Sequence, residues 1–181
     1  MAVVNEFIEV IAHKASEGQQ EAEASEKLGV KLDGKDGISV AVGFRENELS
    51  KADYISIDND VIKILELSDL RDKLKECFDK LQELKMQYMV EHNCNFVPNS
   101  KVRKLNKVAY EPIKSELAQK WSGSIATCER LIRLESIETN NPKYKYTLVC
   151  PNGTDLRAAD HVKTMMQGMC GEFNIINTEH L

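Results

Sequence analysis

The run Leu67-Ser68-Asp69-Leu70-Arg71-Asp72-Lys73-Leu74-Lys75-Glu76-Cys77-Phe78-Asp79-Lys80-Leu81-Gln82-Glu83-Leu84-Lys85-Met86-Gln87-Tyr88 decides how the rest of the chain is read. Leu67, Leu70, Leu74, Cys77, Leu81, Leu84 and Tyr88 recur at alternating steps of three and four, the a/d spacing of a helical seam. Phe78 and Met89 widen the stripe, and Ser68 with Asp69 and Asp72 supplies a cap and acidic groups for the positive end of the helix dipole. The spacing predicts one amphipathic helix over residues 68–92. About three heptads serve equally for packing on a sheet of the same chain or for pairing two chains. In the second case Leu70, Leu74, Leu81, Leu84 and Tyr88 form the interface with a second copy or another protein.

Upstream, Tyr54-Ile55-Ser56-Ile57 and Val61-Ile62-Lys63-Ile64-Leu65 are β-branched runs separated by Asp58-Asn59-Asp60, which predicts a small antiparallel meander. The alternation in residues 38–44 predicts a further strand after the turn at Gly34 and Gly37. Phe7, Ile8, Val10 and Ile11 stand at helical spacing, and the acidic stretch 16–27 reads as a solvated helix or tether.

Downstream the balance of charge reverses. The 181 residues carry 24 Lys and Arg against 29 Asp and Glu, a net charge of −5. Residues 1–96 hold 12 basic and 20 acidic side chains, residues 97–181 hold 12 and 9, and residues 97–133 hold 8 and 3. Such asymmetry marks an anion-binding face on an acidic protein. The break at residues 92–99, where the helical pattern stops, predicts a boundary between an acidic α/β lobe, 1–95, and a basic helical lobe, 96–181.

Within the second lobe three helices are expected. The first, 100–110, carries Lys101, Arg103, Lys104 and Lys107 around Val102, Leu105 and Val108; the second starts at Pro112, a residue suited to a first helical turn; the third follows Ser122-Gly123-Ser124 and runs over 125–137. Residues 117–132 resemble the helix-turn-helix motif of DNA-binding regulators, with Ala118 as the small residue at the crossing, Ser124 as the cap, and Thr127 and Arg130 projecting. The strand Lys143-Tyr144-Lys145-Tyr146-Thr147-Leu148-Val149-Cys150 then resembles the wing of a winged helix-turn-helix domain, and the likeness spans residues 100–150. It implies DNA or RNA as the partner. Phosphates would be met by Lys101, Arg103, Lys104, Lys107, Lys143 and Lys145, and bases or phosphates by Ser124, Thr127 and Arg130. Six phosphate contacts imply a log–log salt slope of roughly −5. The alternation of Tyr144 and Tyr146 with Lys143 and Lys145 also suits stacking on single strands.

The C-terminal segment predicts strand, helix and strand: 143–150, a Met-rich helix through Leu156, Ala159, Val162, Met165, Met166 and Met169 ended by Gly171, then 172–176. The expectation is therefore an α+β fold with a small antiparallel meander, a long heptad helix, and a basic three-helix lobe that ends in strand-helix-strand.

No apolar run approaches the roughly 20 residues that cross a bilayer, and the first residues carry no secretory pattern, so no membrane association is expected. Five scattered cysteines fit reduced thiols in a reducing, cytoplasmic compartment. Neither a Cys-x-x-Cys nor a His-x-x-x-His spacing occurs, and no glycine-rich phosphate loop opens a helix. No metal, cofactor or catalytic residue is expected. The chain reads as a non-enzymatic nucleic-acid-binding regulator or accessory factor, or alternatively as an assembly component (adaptor, inhibitor or virion subunit) acting through its helical surfaces.

Overall fold

A computed structural model describes residues 2–13 and 23–181. Its centre is the hairpin formed by β3, Tyr54–Asp58, and β4, Val61–Leu67, where the β-branched runs pair in register from Tyr54–Leu65 to Asp58–Val61. The connection is thus the two residues Asn59 and Asp60, and Asn59 takes the left-handed conformation (φ 52°) that a short polar side chain tolerates. One sheet in the order β1-β2-β3-β4-β5-β6 is built around this hairpin. β1, Ile8–Ala12, and β2, Ala24–Lys31, continue it antiparallel on one side; β5, Lys143–Cys150, and β6, Phe173–Asn177, add parallel strands on the other. The mixed α+β class, the meander and the final strand-helix-strand are all present.

Helices cover one face of the sheet. After a four-residue α1, Ala2–Asn5, and a four-residue α2, Ile38–Ala41, come α3, Arg71–Glu91, α4, Asn99–Arg133, and α5, Asp160–Cys170. Trp121, Leu117, Cys128 and Leu131 of α4 form a single core with Ile55, Ile62, Ile64, Tyr146 and Leu148 of the sheet, and Trp121 stacks on Tyr146 at 5.4 Å. On the other face the β1–β2 hairpin curls over the strands. Alternation along β1 leaves Ile8 and Val10 exposed and turns Ile11 inward against Tyr54 and Leu65, while the register shift opposite Val10–Ala12 is taken up by extra residues of β2. His13 Nε2 meets Thr178 Oγ1 at 3.1 Å, and the Asn152 amide donates to Glu23 at 2.9 Å, fixing the hairpin to the loops after β5 and β6.

Five local expectations are corrected. Residues 8–12 form a strand rather than a helix, because pairing with β2 overrides the helical spacing of Phe7, Ile8 and Ile11. Residues 38–41 form a helical turn rather than a strand, with Ile38 and Ser39 buried and no ladder partner. Of the expected polar stretch, 16–22 lies outside the described residues and 24–27 belongs to β2.

The three helices expected over 100–137 are one helix of 35 residues. Pro112 lies in its interior, and Gly123 is a helical residue at which a Cβ would meet the Ser50 carbonyl oxygen at 2.0 Å. The glycine permits close approach of a loop to the helix and makes no turn. The fifth correction concerns β5, which is an internal parallel strand buried over residues 146–150, not a wing. The boundary expected near Asn95 falls in the turn between α3 and α4, and the sheet takes strands from both sides of it.

Candidate nucleic-acid interface and charged cleft

The position of α3 follows from what it touches. It starts at Arg71, just past the carboxyl end of β4, and its buried Leu74, Cys77 and Leu81 share a core with Ala109, Tyr110, Ile113 and Leu117 of α4. The heptad seam is therefore filled by the chain's own α4. Of the expected interface residues, Leu70, Leu74 and Leu81 are buried, and Leu84 and Tyr88 are half-buried.

The middle of α4 lies at the carboxyl end of the sheet, where Glu116 binds Lys73 and Lys120 binds Glu66. Its last turns lie at the opposite end, where Glu129 accepts from the Tyr144 hydroxyl at 2.7 Å. Hence α3 and the first half of α4 form an antiparallel arm that leaves the sheet at the carboxyl end of β4. No residue from 82 to 108 is buried.

The outer part of this arm, residues 82–108, carries Lys85, Lys101, Arg103, Lys104 and Lys107 against only Glu83 and Glu91, on a chain of net charge −5. Lys101, Arg103, Lys104 and Lys107 are all exposed, because Leu105 and Ala109 take the side of α4 that faces α3. At the tip, Tyr88 and His92 stack at 4.0 Å, and Phe96 and Val90 are 71% and 81% exposed.

The other expected contact residues are elsewhere. Ser124 is buried, donates to the Lys120 carbonyl at 2.7 Å and accepts from the Ala52 amide at 2.9 Å; Thr127 is buried and donates to the Gly123 carbonyl at 3.0 Å. Neither is presented to a ligand. Arg130 lies over the Phe44 ring at 4.8 Å, far along α4 from the arm. Lys143 is exposed at the start of β5, and Lys145, on the face away from Trp121, pairs with Glu172 at 2.9 Å. Four of the nine expected residues thus share one surface.

A second feature has no counterpart in the sequence reading. At the carboxyl ends of β4 and β5, where open sheets with parallel strands place their ligands, lies a cleft of about 590 Å³. Glu23, Asp33, Asp36, Asp53 and Asp69 line it with Lys31, Arg71 and Lys120. Behind it Glu66 is 1% exposed; Lys120 donates to its Oε1, and its Oε2 has no partner. Burial first, then the negative charge of Asp53, hold the Glu66 carboxyl well above the usual carboxylate range against the pull of Lys120. His13, also in the wall, is pushed below its ordinary value by burial, which outweighs Glu23, Asp53 and Asp69.

A glutamate inside the apolar run Ile64-Leu65-Glu66-Leu67 was the available signal for this cleft, since a carboxylate on a buried strand needs a partner. Among the described residues, no three His, Cys, Asp or Glu side chains converge closely enough to hold a metal ion by themselves. No described helix is long and apolar enough to cross a membrane. In comparisons with known proteins, the chain matches no protein-family model, no curated protein and no solved structure.

Proposed function

We propose that the protein binds nucleic acid through the cationic arm formed by α3 and the first half of α4. The observation that carries this reading is the exposure of Lys101, Arg103, Lys104 and Lys107 together on a projection that no other described part of the chain covers. Concentrated positive charge on an acidic body steers a polyanion to one place and supplies phosphate contacts without base specificity. The exposed ring of Phe96 and the Tyr88–His92 stack add surfaces on which unpaired bases can lie. The role is regulatory or accessory. Reversing the four charges to glutamate is expected to abolish electrophoretic retardation of both DNA and RNA at low salt, with the circular dichroism spectrum unchanged. Retardation that survives the reversal excludes the arm.

A second reading rests on a separate observation, the exposure of Met86, Val90, Phe96 and Val108 on the same arm. Apolar side chains grouped on a projection suit a protein partner, here a second copy of the chain. This reading predicts concentration-dependent dimers in sedimentation that V90D removes, with the four charge reversals having no effect on mass.

A further inference from the structure

The helices of the arm are joined by His92-Asn93-Cys94-Asn95-Phe96-Val97-Pro98-Asn99. This turn is held by its own backbone. The Cys94 amide donates to the Met89 carbonyl at 3.0 Å and the Asn93 amide to the Val90 carbonyl at 3.3 Å, with Asn93 left-handed (φ 47°), the paired bonds that close a helix in a Schellman motif. Cys94 Sγ then donates to the Phe96 carbonyl at 3.2 Å, and Pro98 stands at the start of α4.

Two aromatic rings are presented on this fixed turn. The exposed His92 stacks on Tyr88 with the planes 16° apart, and its Nδ1 donates to the Tyr88 carbonyl at 3.0 Å, so its ring is oriented from one side only. Phe96 is 71% exposed. A lone exposed apolar side chain is ordinary on a protein surface, but this one stands at the head of a row of cations. Between Tyr88 and Lys107 the only acidic residue is Glu91. Lys101, Lys104 and Lys107 follow at steps of three, neighbours on the helix surface, and run about 9 Å from the turn toward the body at the helical rise.

We propose that the turn between α3 and α4 takes an unpaired base of a single-stranded nucleic acid, stacked on Phe96, with the adjoining phosphates on Lys101, Lys104 and Lys107. The inference rests on the proposed nucleic-acid function of the arm and adds a substrate class to it, single strands in preference to duplex. Cations meet the phosphates of either form. A ring face takes a base only where that base has left its own stack, which costs energy in a duplex and little in a single strand. The exposed amides of Asn93, Asn95 and Asn99 stand beside the rings, where they can bond the edges of a splayed base. Because the turn is already closed by its own hydrogen bonds, binding has little chain to order.

Fluorescence anisotropy of the full chain at low salt tests this with four labelled probes of equal length: oligo-dT, oligo-rU, an abasic deoxyribose-phosphate strand and a DNA duplex. The native chain should bind oligo-dT and oligo-rU more tightly than the abasic strand, which has the charge without the bases. F96A and F96L should each weaken binding of the two oligonucleotides roughly 5- to 150-fold, the cost of one lost base–aromatic stack, and leave the duplex and the abasic strand unchanged. F96W, which keeps a ring, should retain the affinity. Since Phe96 is mostly solvated, these variants should keep the native melting temperature. Single-strand binding that is the same in F96A as in the native chain overturns the proposal and leaves the arm reading standing. Native affinity in F96L overturns it too, because leucine preserves an apolar contact but offers no ring. Failure of the native chain to bind any of the four probes overturns both the arm reading and this one.

Discussion

Gly123 stands where α4 passes closest to the loop before β3, and its neighbour Ser124 ties the two together through Ala52. A methyl group at 123 has nowhere to go, since the Ser50 carbonyl is backbone and Leu49 flanks it. G123A, normally favourable in a helix, is expected here to destabilise by about 3 kcal/mol, at the upper end of overpacking costs. Chemical denaturation measures it, and a stabilised variant would show that the loop moves freely. His13 supplies a second test at this scale. Its folded value lies below that of the unfolded chain, so the unfolded state takes up the proton first as pH falls. The stability due to neutral His13 is present above about pH 6.5 and is lost as the pH drops through the lower folded value. H13Q should remove the His13 part of the change in denaturation midpoint between about pH 7 and pH 5, leaving the parts due to His161, which burial also lowers, and to Glu66, whose raised value acts with the opposite sign. An unchanged profile would remove His13 from the account.

The helices are where sequence and structure can be compared most directly. α3 was legible because its stripe is filled by one partner along its length, so spacing and packing agree. α4 was not, because Pro112 and Gly123 are breakers by composition and are tolerated for reasons that lie outside the helix. Pro112 is exposed and has no amide to give the Val108 carbonyl one turn earlier. P112A should therefore stabilise the protein by roughly 1–3 kcal/mol, seen as a higher melting temperature. A lower melting temperature would mean that a bend at this point is needed where arm and body meet. Residues 8–12 were misread because the outward positions Ile8 and Val10 are apolar, so the alternation that identifies strands is absent from the sequence and Phe7, Ile8 and Ile11 stand at helical spacing. The same limit applies to the site: Lys101, Arg103, Lys104 and Lys107 were found because solvated charge shows in composition. Ser124 and Thr127 were misassigned because hydroxyls satisfied inside the fold look the same in sequence as hydroxyls that reach a ligand. The contact of Glu66 with Lys120 depends on how α4 lies on the sheet, which no local pattern fixes.

At the scale of the whole molecule, an acidic sheet body carries a basic arm, with an acidic cleft at the arm's root. The seam that gives the arm its stiffness is internal, so L81A should cost about 2–5 kcal/mol of stability as a loss of core packing. Separation of charge between arm and body is the feature from which the functional account follows. Its most direct test is fluorescence anisotropy of a labelled DNA duplex titrated with the protein across a range of salt. Four phosphate contacts predict a log–log slope of roughly −3.6 for the native chain, and a slope near zero or no binding once Lys101, Arg103, Lys104 and Lys107 are reversed. Binding by the native chain that does not respond to salt, or a slope unchanged by the four reversals, would contradict the account.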